Sequence, residues 1–360
     1  MSSKPGQDAR RQYSTRVKEE FPETLFVGET RFVKKISMRY GENPGYPAAF
    51  YVEEGASGAN MATMEILQEG TKGLSYINVA DMDLGQRLLL KLNSIYPEAK
   101  IAIMVKHEMP SGVARAENPE DAFLLAWGCD LLSNFGSVNI FNFEINSNLA
   151  SLLIESARNI EVVYAPRFTP ESLQVLSRRK TLRVCRMPFP GEAPSRDNGM
   201  EIKRVAGGLL VQKRFDSKIV GPQEIDVVSK RKPTPEEIEA AIFNWVVACF
   251  TRSNAVVIGQ KDKIHGIGSG QRSRIDAAEQ AIRLSRRGYG PQGCVLASDA
   301  FMPFPDVVEL AASSGITAVI APLGSIRDEE VIRRADELNL AFMVTRRPGE
   351  VDSERAFLHR

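Results

Sequence analysis

Chemistry near neutral pH most often needs an imidazole, and this 360-residue chain holds only three, His107, His265 and His359. His107 lies in VKHEMPSG, with Lys106 before it and a Pro-Ser-Gly turn expected after it. It directly follows the apolar run Ile101–Val105. Side chains at the C-terminal ends of strands in α/β proteins open onto the ligand-binding crevice. A lone histidine in a surface loop fits the same spacing. Further along, KIHGIGSGQRSR (Lys263–Arg274) places Gly266, Gly268 and Gly270 before a helix expected from about Ser273. A Gly-rich turn there would present backbone N–H groups to an anion. With no GK[ST] it is not a phosphate-binding P-loop, and a plain tight turn explains it equally well. In ASDAFMPFP (Ala297–Pro305), Phe301 and Phe304 are stiffened by prolines and would suit a planar heterocycle, although aromatics of this kind also fill cores. MRYGENP (Met38–Pro44) gathers Arg39, Tyr40, Glu42 and Asn43 around a turn.

Short apolar runs that read as strands position these residues. They are Ile101–Val105, Glu161–Tyr164, Leu182–Arg186, Gly208–Lys213, Ala255–Gly259, Cys294–Ser298, Ala318–Ala321 and Ala341–Thr345. Several are apolar throughout, as in sheets covered on both faces. Between them, Asn118-Pro119, Thr169-Pro170 and Thr234-Pro235 each set a capping side chain before a first-turn proline and an acid. Ser325 to Leu338 is amphipathic, with Val331, Ala335 and Leu338 on one face. The alternation argues for an α/β protein. Residues 1–30 read as a polar N-terminal extension, frayed to about Glu20. The Pro- and Gly-rich stretch Phe189–Met200 reads as the joint between subdomains 31–195 and 196–360.

Composition excludes several classes. Lys+Arg 46 against Asp+Glu 45 leaves no bulk charge to attract nucleic acid or a membrane surface. No apolar stretch approaches the ~18 residues of a membrane span. Cys129, Cys185, Cys249 and Cys294 are far apart, which suits buried thiols in a reducing, cytoplasmic setting and offers no zinc site.

Taken in order, the segments MRYGENP, GLSYINVADMD, VKHEMPSGVA, CDLLSNFG, EVVYAPRFTPESL, GGLLVQKR, TRSNAVVI, GIGSGQRSRID, LASDAFMPFPD, ITAVIAPLGSIRDEEVI and RAFLHR carry a specific pattern. The chain resembles the AICAR (aminoimidazole-carboxamide ribonucleotide) transformylase domain of the bifunctional purine-biosynthesis enzyme, from about Ile36 to Arg360. The resemblance implies two cytidine-deaminase-like three-layer α/β subdomains and a homodimer with active sites at the subunit interface. It implies formyl transfer from 10-formyltetrahydrofolate to the 5-amino group of AICAR. That family's IMP cyclohydrolase domain has no counterpart in this sequence, so a separate cyclohydrolase is the expected pathway partner.

By the same resemblance, Lys106 and His107 are the catalytic pair and Asn254 is a third catalytic residue. Arg39, Tyr40, Asn78, Gly136 and Arg355 correspond to nucleotide-binding positions. Phe135, Glu161, Arg274, Phe301 and Pro303, with Asn254, match positions lining the nucleotide and folate sites. Some family members hold potassium near the final histidine, which would put that ion beside His359. There are departures. The family's Ala-Asn-Pro-Cys-Gly after the Lys-His pair is Glu108-Met109-Pro110-Ser111-Gly112 here, which sets a carboxylate next to the base, and GENPHQ is GENPGY. A zinc deaminase is set aside, since no HxE followed by PCxxC occurs. A non-catalytic AICAR-binding homologue remains the alternative, together with formylation from a different donor. No Walker-type loop supports an ATP-driven donor.

Overall fold

The computed structural model describes residues 21–156, 159–187, 200–214 and 218–346. The polar N-terminus and nearly all of the expected joint Phe189–Met200 lie outside the described residues. All eight runs expected as strands are strands, with ends shifted by one residue at most.

In chain order the first strands are β1 (Thr24–Val27), β2 (Thr30–Met38), β3 (Ala48–Glu53) and β4 (Glu65–Gln68). Helix α1 (Tyr76–Ile95), β5 (Lys100–Lys106), β6 (Met109–Ala116) and α2 (Pro119–Gly128) follow. Then come β7 (Val138–Phe141), β8 (Glu144–Ile145), α3 (Ser147–Ser156), β9 (Val162–Ala165), β10 (Arg167–Phe168), α4 (Pro170–Ser177) and β11 (Arg183–Arg186). The C-terminal half opens with β12 (Met200–Val205), β13 (Gly208–Lys213), β14 (Asp226–Val227) and α5 (Pro235–Cys249). It continues through β15 (Val256–Gly259), β16 (Ile264–Gly268), α6 (Arg274–Ser285) and β17 (Val295–Ser298). Helix α7 (Asp306–Ser313), β18 (Ala318–Ala321), α8 (Asp328–Glu337) and β19 (Ala341–Val344) complete it.

The helix starts form as their sequences dictate. Asn118 Oδ1 accepts the Asp121 N–H at 2.8 Å and Thr169 Oγ1 the Ser172 N–H at 3.2 Å. Thr234 and Glu237 close a reciprocal capping box at 3.2 and 2.8 Å. Each cap contributes about 1 kcal/mol.

Two compact units result. One takes the chain up to Arg87, Val105–Glu108 and the stretch from Phe135; the other takes Leu88–Met104, Met109–Asn134 and the C-terminal half. In the first, β1, β2 and β3 form an antiparallel meander. Strand β4 runs antiparallel to β11, which pairs in parallel with β9, and β9 in parallel with β7. Strands β7 and β9 are buried along their whole length.

In the second unit a mixed sheet has the order β14-β19-β18-β17-β15-β16. Its centre, β17-β18-β19, is parallel, and β14, β15 and β16 join antiparallel. Val256, Leu296, Val319 and Phe342 from the sheet bury against Ala277, Ala281, Val307 and Val331 from the helices. Hairpin β12–β13 stands apart as its own two-stranded sheet, with Leu209, Leu210 and Val211 more than half exposed. No helix among the described residues is long and apolar enough to cross a membrane.

Of the three glycines expected in an anion-binding turn, Gly270 lies in a bend with φ of 66° ahead of α6, and the other two do something else. Gly266 and Gly268 lie within β16, and α6 packs so closely on that strand that a Cβ would fall on the Ala281 or Ala277 carbonyl oxygen. Gly268→Ala should therefore force β16 and α6 apart and cost about 1–3 kcal/mol, read as a lower urea midpoint. An unchanged midpoint would refute this packing.

His265, also on β16, is buried, and its Nδ1 sits 2.6 Å from the Gly290 carbonyl oxygen. A carbonyl only accepts, so Nδ1 carries the proton. Nε2 is buried without a partner among the described residues. Burial lowers the imidazole pKa below 6.5, against the Gly290 bond. A lowered histidine contributes stability fully present above pH 6.5 and lost as pH falls through the folded value. The stability difference between pH 8 and pH 5 should shrink in His265→Gln, measured by denaturant titration at both values.

Candidate functional site

The first unit carries most of the expected residues. Strand β5 ends at Lys106 and β6 begins at Met109, so His107 and Glu108 form the entire turn. Both have φ of 55°. A two-residue hairpin with both residues left-handed normally uses Asn-Gly. With a Cβ at each position the conformation costs roughly 1–2 kcal/mol per residue. The Pro-Ser-Gly turn expected after His107 is instead part of β6. Ser111 Oγ donates to Asn134 Oδ1 at 2.6 Å, and Gly112 lies so near α2 that a Cβ would meet the Ala126 carbonyl oxygen.

Asp81, on α1, accepts from both amides of the turn: His107 N–H to Oδ2 at 3.3 Å and Glu108 N–H to Oδ1 at 2.6 Å. Its burial pushes the carboxyl up to about 7, against those two bonds, and the charges of Glu108 and Glu161 push the same way. Asp81 is not among the residues that the sequence pattern singles out. Its signal was a charged residue three positions after Asn78, which puts both on one face of a helix.

Lys106 Nζ donates to the Phe135 carbonyl oxygen at 2.6 Å. An ammonium has three donors, so this bond aims the group without exhausting it. Gly136, with φ of 81°, turns its Cβ-less side toward Lys106 and donates its N–H to the Asn159 carbonyl oxygen at 2.8 Å. The His107 and Phe135 side chains are exposed.

Behind this edge lies a charged network. Ser75 and Asn78 bond reciprocally at the start of α1, side chain to amide, at 3.1 and 3.2 Å. The Asn78 amide then reaches Glu161 Oε2 at 2.9 Å. Arg183, buried in β11, donates through Nε to the Gly73 carbonyl oxygen at 2.8 Å and lies 3.7 Å from Glu161. Burial lowers its pKa; Glu161 opposes this and nearby Arg39 adds to it. Arg39 is 8% exposed, lies over the Tyr40 ring at 4.5 Å and donates through one terminal nitrogen to Tyr40 Oη at 3.0 Å. Its Nε and other terminal nitrogen have no partner among the described residues. Two buried guanidinium groups beside one carboxylate leave positive charge and open donors, the chemistry of an anion site. Arg183 was read from sequence only as part of a strand.

The second unit holds a separate group. Asn254 Nδ2 donates to the carbonyl oxygens of Gln271 and Arg272 at 2.9 and 3.1 Å. Arg274 forms a buried ion pair with Asp299, leaving Arg274 Nε and Asp299 Oδ2 unpartnered among the described residues. Burial lowers the Arg274 pKa to about 10. Phe301 and Pro303 are half-buried beyond β17, and Phe304 is exposed beneath the Arg327 guanidinium, 4.9 Å from its ring centre, so neither phenylalanine is core. Arg355 and His359, the expected neighbour of a potassium ion, lie outside the described residues.

A family model described as the AICARFT/IMPCHase bienzyme matches residues 8–284 of this chain.

Arg39 yields a direct test of the anion site. Arg39→Met removes a buried cation with two unpaired nitrogens, each a burden of about 1–3 kcal/mol. Thermal unfolding should move to higher temperature. The stabilisation that millimolar inorganic phosphate gives the wild type should be lost. A destabilised variant with an undiminished phosphate effect would place the anion elsewhere.

Proposed function

Because the chain belongs to the AICARFT/IMPCHase bienzyme family, a family of purine-biosynthesis enzymes, we propose that it transfers the formyl group of 10-formyltetrahydrofolate to the 5-amino group of AICAR. The observation that carries this reading is the β5–β6 turn, which sets an exposed imidazole directly after an ammonium steered by the Phe135 carbonyl.

The chemistry needs both groups. The AICAR amine is a weak nucleophile, since its lone pair is conjugated with the carboxamide. As its nitrogen bonds to the formyl carbon, His107 takes the amine proton. The carbonyl electrons move onto oxygen, where Lys106 offers an N–H donor. Collapse of that adduct breaks the bond to the folate nitrogen, which leaves as N–H with the proton that His107 took from the amine. Arg39 and Tyr40 suit the nucleotide's anionic end, with Arg355 as a further phosphate partner. Asn78 and Glu161 border the nucleotide beside Phe135 and Gly136. In the second unit, Asn254, Arg274, Phe301 and Pro303 are nucleotide- and folate-binding candidates by the family resemblance alone.

The unit folds are read as cytidine-deaminase-like. The working form is a homodimer, and the apolar hairpin β12–β13 supports it. An isolated two-stranded hairpin is marginal in water, and a second copy would cover Leu209, Leu210 and Val211.

Purified protein mixed with AICAR and 10-formyltetrahydrofolate should yield the formylated nucleotide. His107→Ala should lower kcat by about 10²- to 10⁴-fold with AICAR binding largely kept. Near-normal turnover in that variant would move the base elsewhere. Binding of AICAR without any turnover in the wild type would favour a non-catalytic homologue.

A further inference from the structure

We propose that Asp81 is the positioning residue for the Lys106–His107 pair, gripping the turn through the amides on both sides of the His107 α-carbon. What the pair does rests on the formyl-transfer reading; the grip itself rests on geometry.

The amide of His107 belongs to the peptide plane shared with Lys106. The amide of Glu108 belongs to the plane shared with His107. One carboxylate takes a hydrogen bond from each, at 3.3 and 2.6 Å, and so fixes both planes that meet at the His107 α-carbon. The direction of the His107 side chain is then set, as is the peptide on the C-terminal side of Lys106. No residue type in the turn does this unaided, because His and Glu both resist the left-handed conformation they occupy.

Asp81 is 3% exposed, so it acts through the turn and not on a ligand. Among the described residues no cation pairs with it, and the charges facing it, Glu108 and Glu161, share its sign. A carboxylate kept for stability would be paired, since an uncompensated buried charge is destabilising. Its rise toward neutrality is the cost of this placement. Asn78, three residues earlier on α1, holds Glu161 from the same helical face. One helix thus anchors both the turn and the network behind it.

The test is Asp81→Asn, which keeps the shape but turns an NH2 group toward one of the two amides. Two readouts are taken: amide hydrogen exchange at His107 and Glu108 by NMR, and kcat and KM for AICAR. In the wild type both amides should exchange slowly despite lying in an exposed turn. In the variant at least one should exchange tenfold faster or more. Displacing a catalytic group by a fraction of an ångström to 1 Å costs up to about a hundredfold, so kcat should fall by roughly 10- to 100-fold with KM within about twofold. A purely structural aspartate would lower the melting temperature and leave kcat per folded molecule unchanged, which overturns the proposal. So does fast exchange of both amides in the wild type, a result that needs no variant to fold. If the wild type transfers no formyl group, the reading of the pair fails, while the exchange measurement still decides the grip.

Discussion

A buried carboxylate that receives two amide hydrogens makes the His107–Glu108 turn possible, and the geometry of the candidate centre depends on it. Strand β5 is apolar and fully buried from Ile101 to Val105, which fixes the chain up to Lys106. Two residues later the chain must already be running back as β6. A left-handed pair closes this short loop, and neither residue is glycine. The cost is met locally by Asp81. The local strain sits where reactive groups are displayed, while the flanking strands remain regular.

The same unit holds a second departure from what stability alone would select. Arg39 and Arg183 are buried near one another, and Glu161 is the only carboxylate among the described residues bonded into their network. A hydrophobic replacement of similar volume would remove a desolvation cost of several kcal/mol per ion. Guanidinium nitrogens with no partner among the described residues, held in a buried setting, are preorganised for an anion. In the second unit, Arg274 and Asp299 neutralise each other, yet each keeps one polar atom with no partner among the described residues. Both units thus hold such polar groups at positions proposed to bind ligand.

Much of this was legible in the sequence. Strands buried on both faces announce themselves as unbroken apolar runs. The capping residues Asn118, Thr169 and Thr234 sit where their side chains must sit to meet the third amide of each helix. The order of short segments carried the family. What was illegible depends on close approach between distant segments. Gly266 and Gly268 read as a loop because glycine signals a turn, whereas their real constraint is helix α6 packed on β16. Pro110, Ser111 and Gly112 read as a turn for the same reason, and Gly112 is small because α2 crosses it. Asp81 and Arg183 were hidden because nothing in a helix or strand pattern says that a charged residue points inward.

Reaction chemistry explains why these hidden residues matter. In the proposed formyl transfer a weak amine nucleophile loses its proton as the new bond forms, so the base has to be near the attacking nitrogen at that moment, and a freely rotating loop would rarely hold it there. An exposed imidazole satisfies access, and a grip from a buried carboxylate satisfies orientation. Exposure and rigidity usually conflict, since loops that reach ligands are the mobile parts of a protein. Here the conflict is resolved by reducing the loop to two residues and bonding both of its amides to one side chain of a helix. Lys106 follows the same logic from the other side: its stem leaves a buried strand, and its ammonium is aimed by a carbonyl instead of an opposing charge. Its remaining donors are left for the oxygen on which negative charge would develop in the proposed transfer.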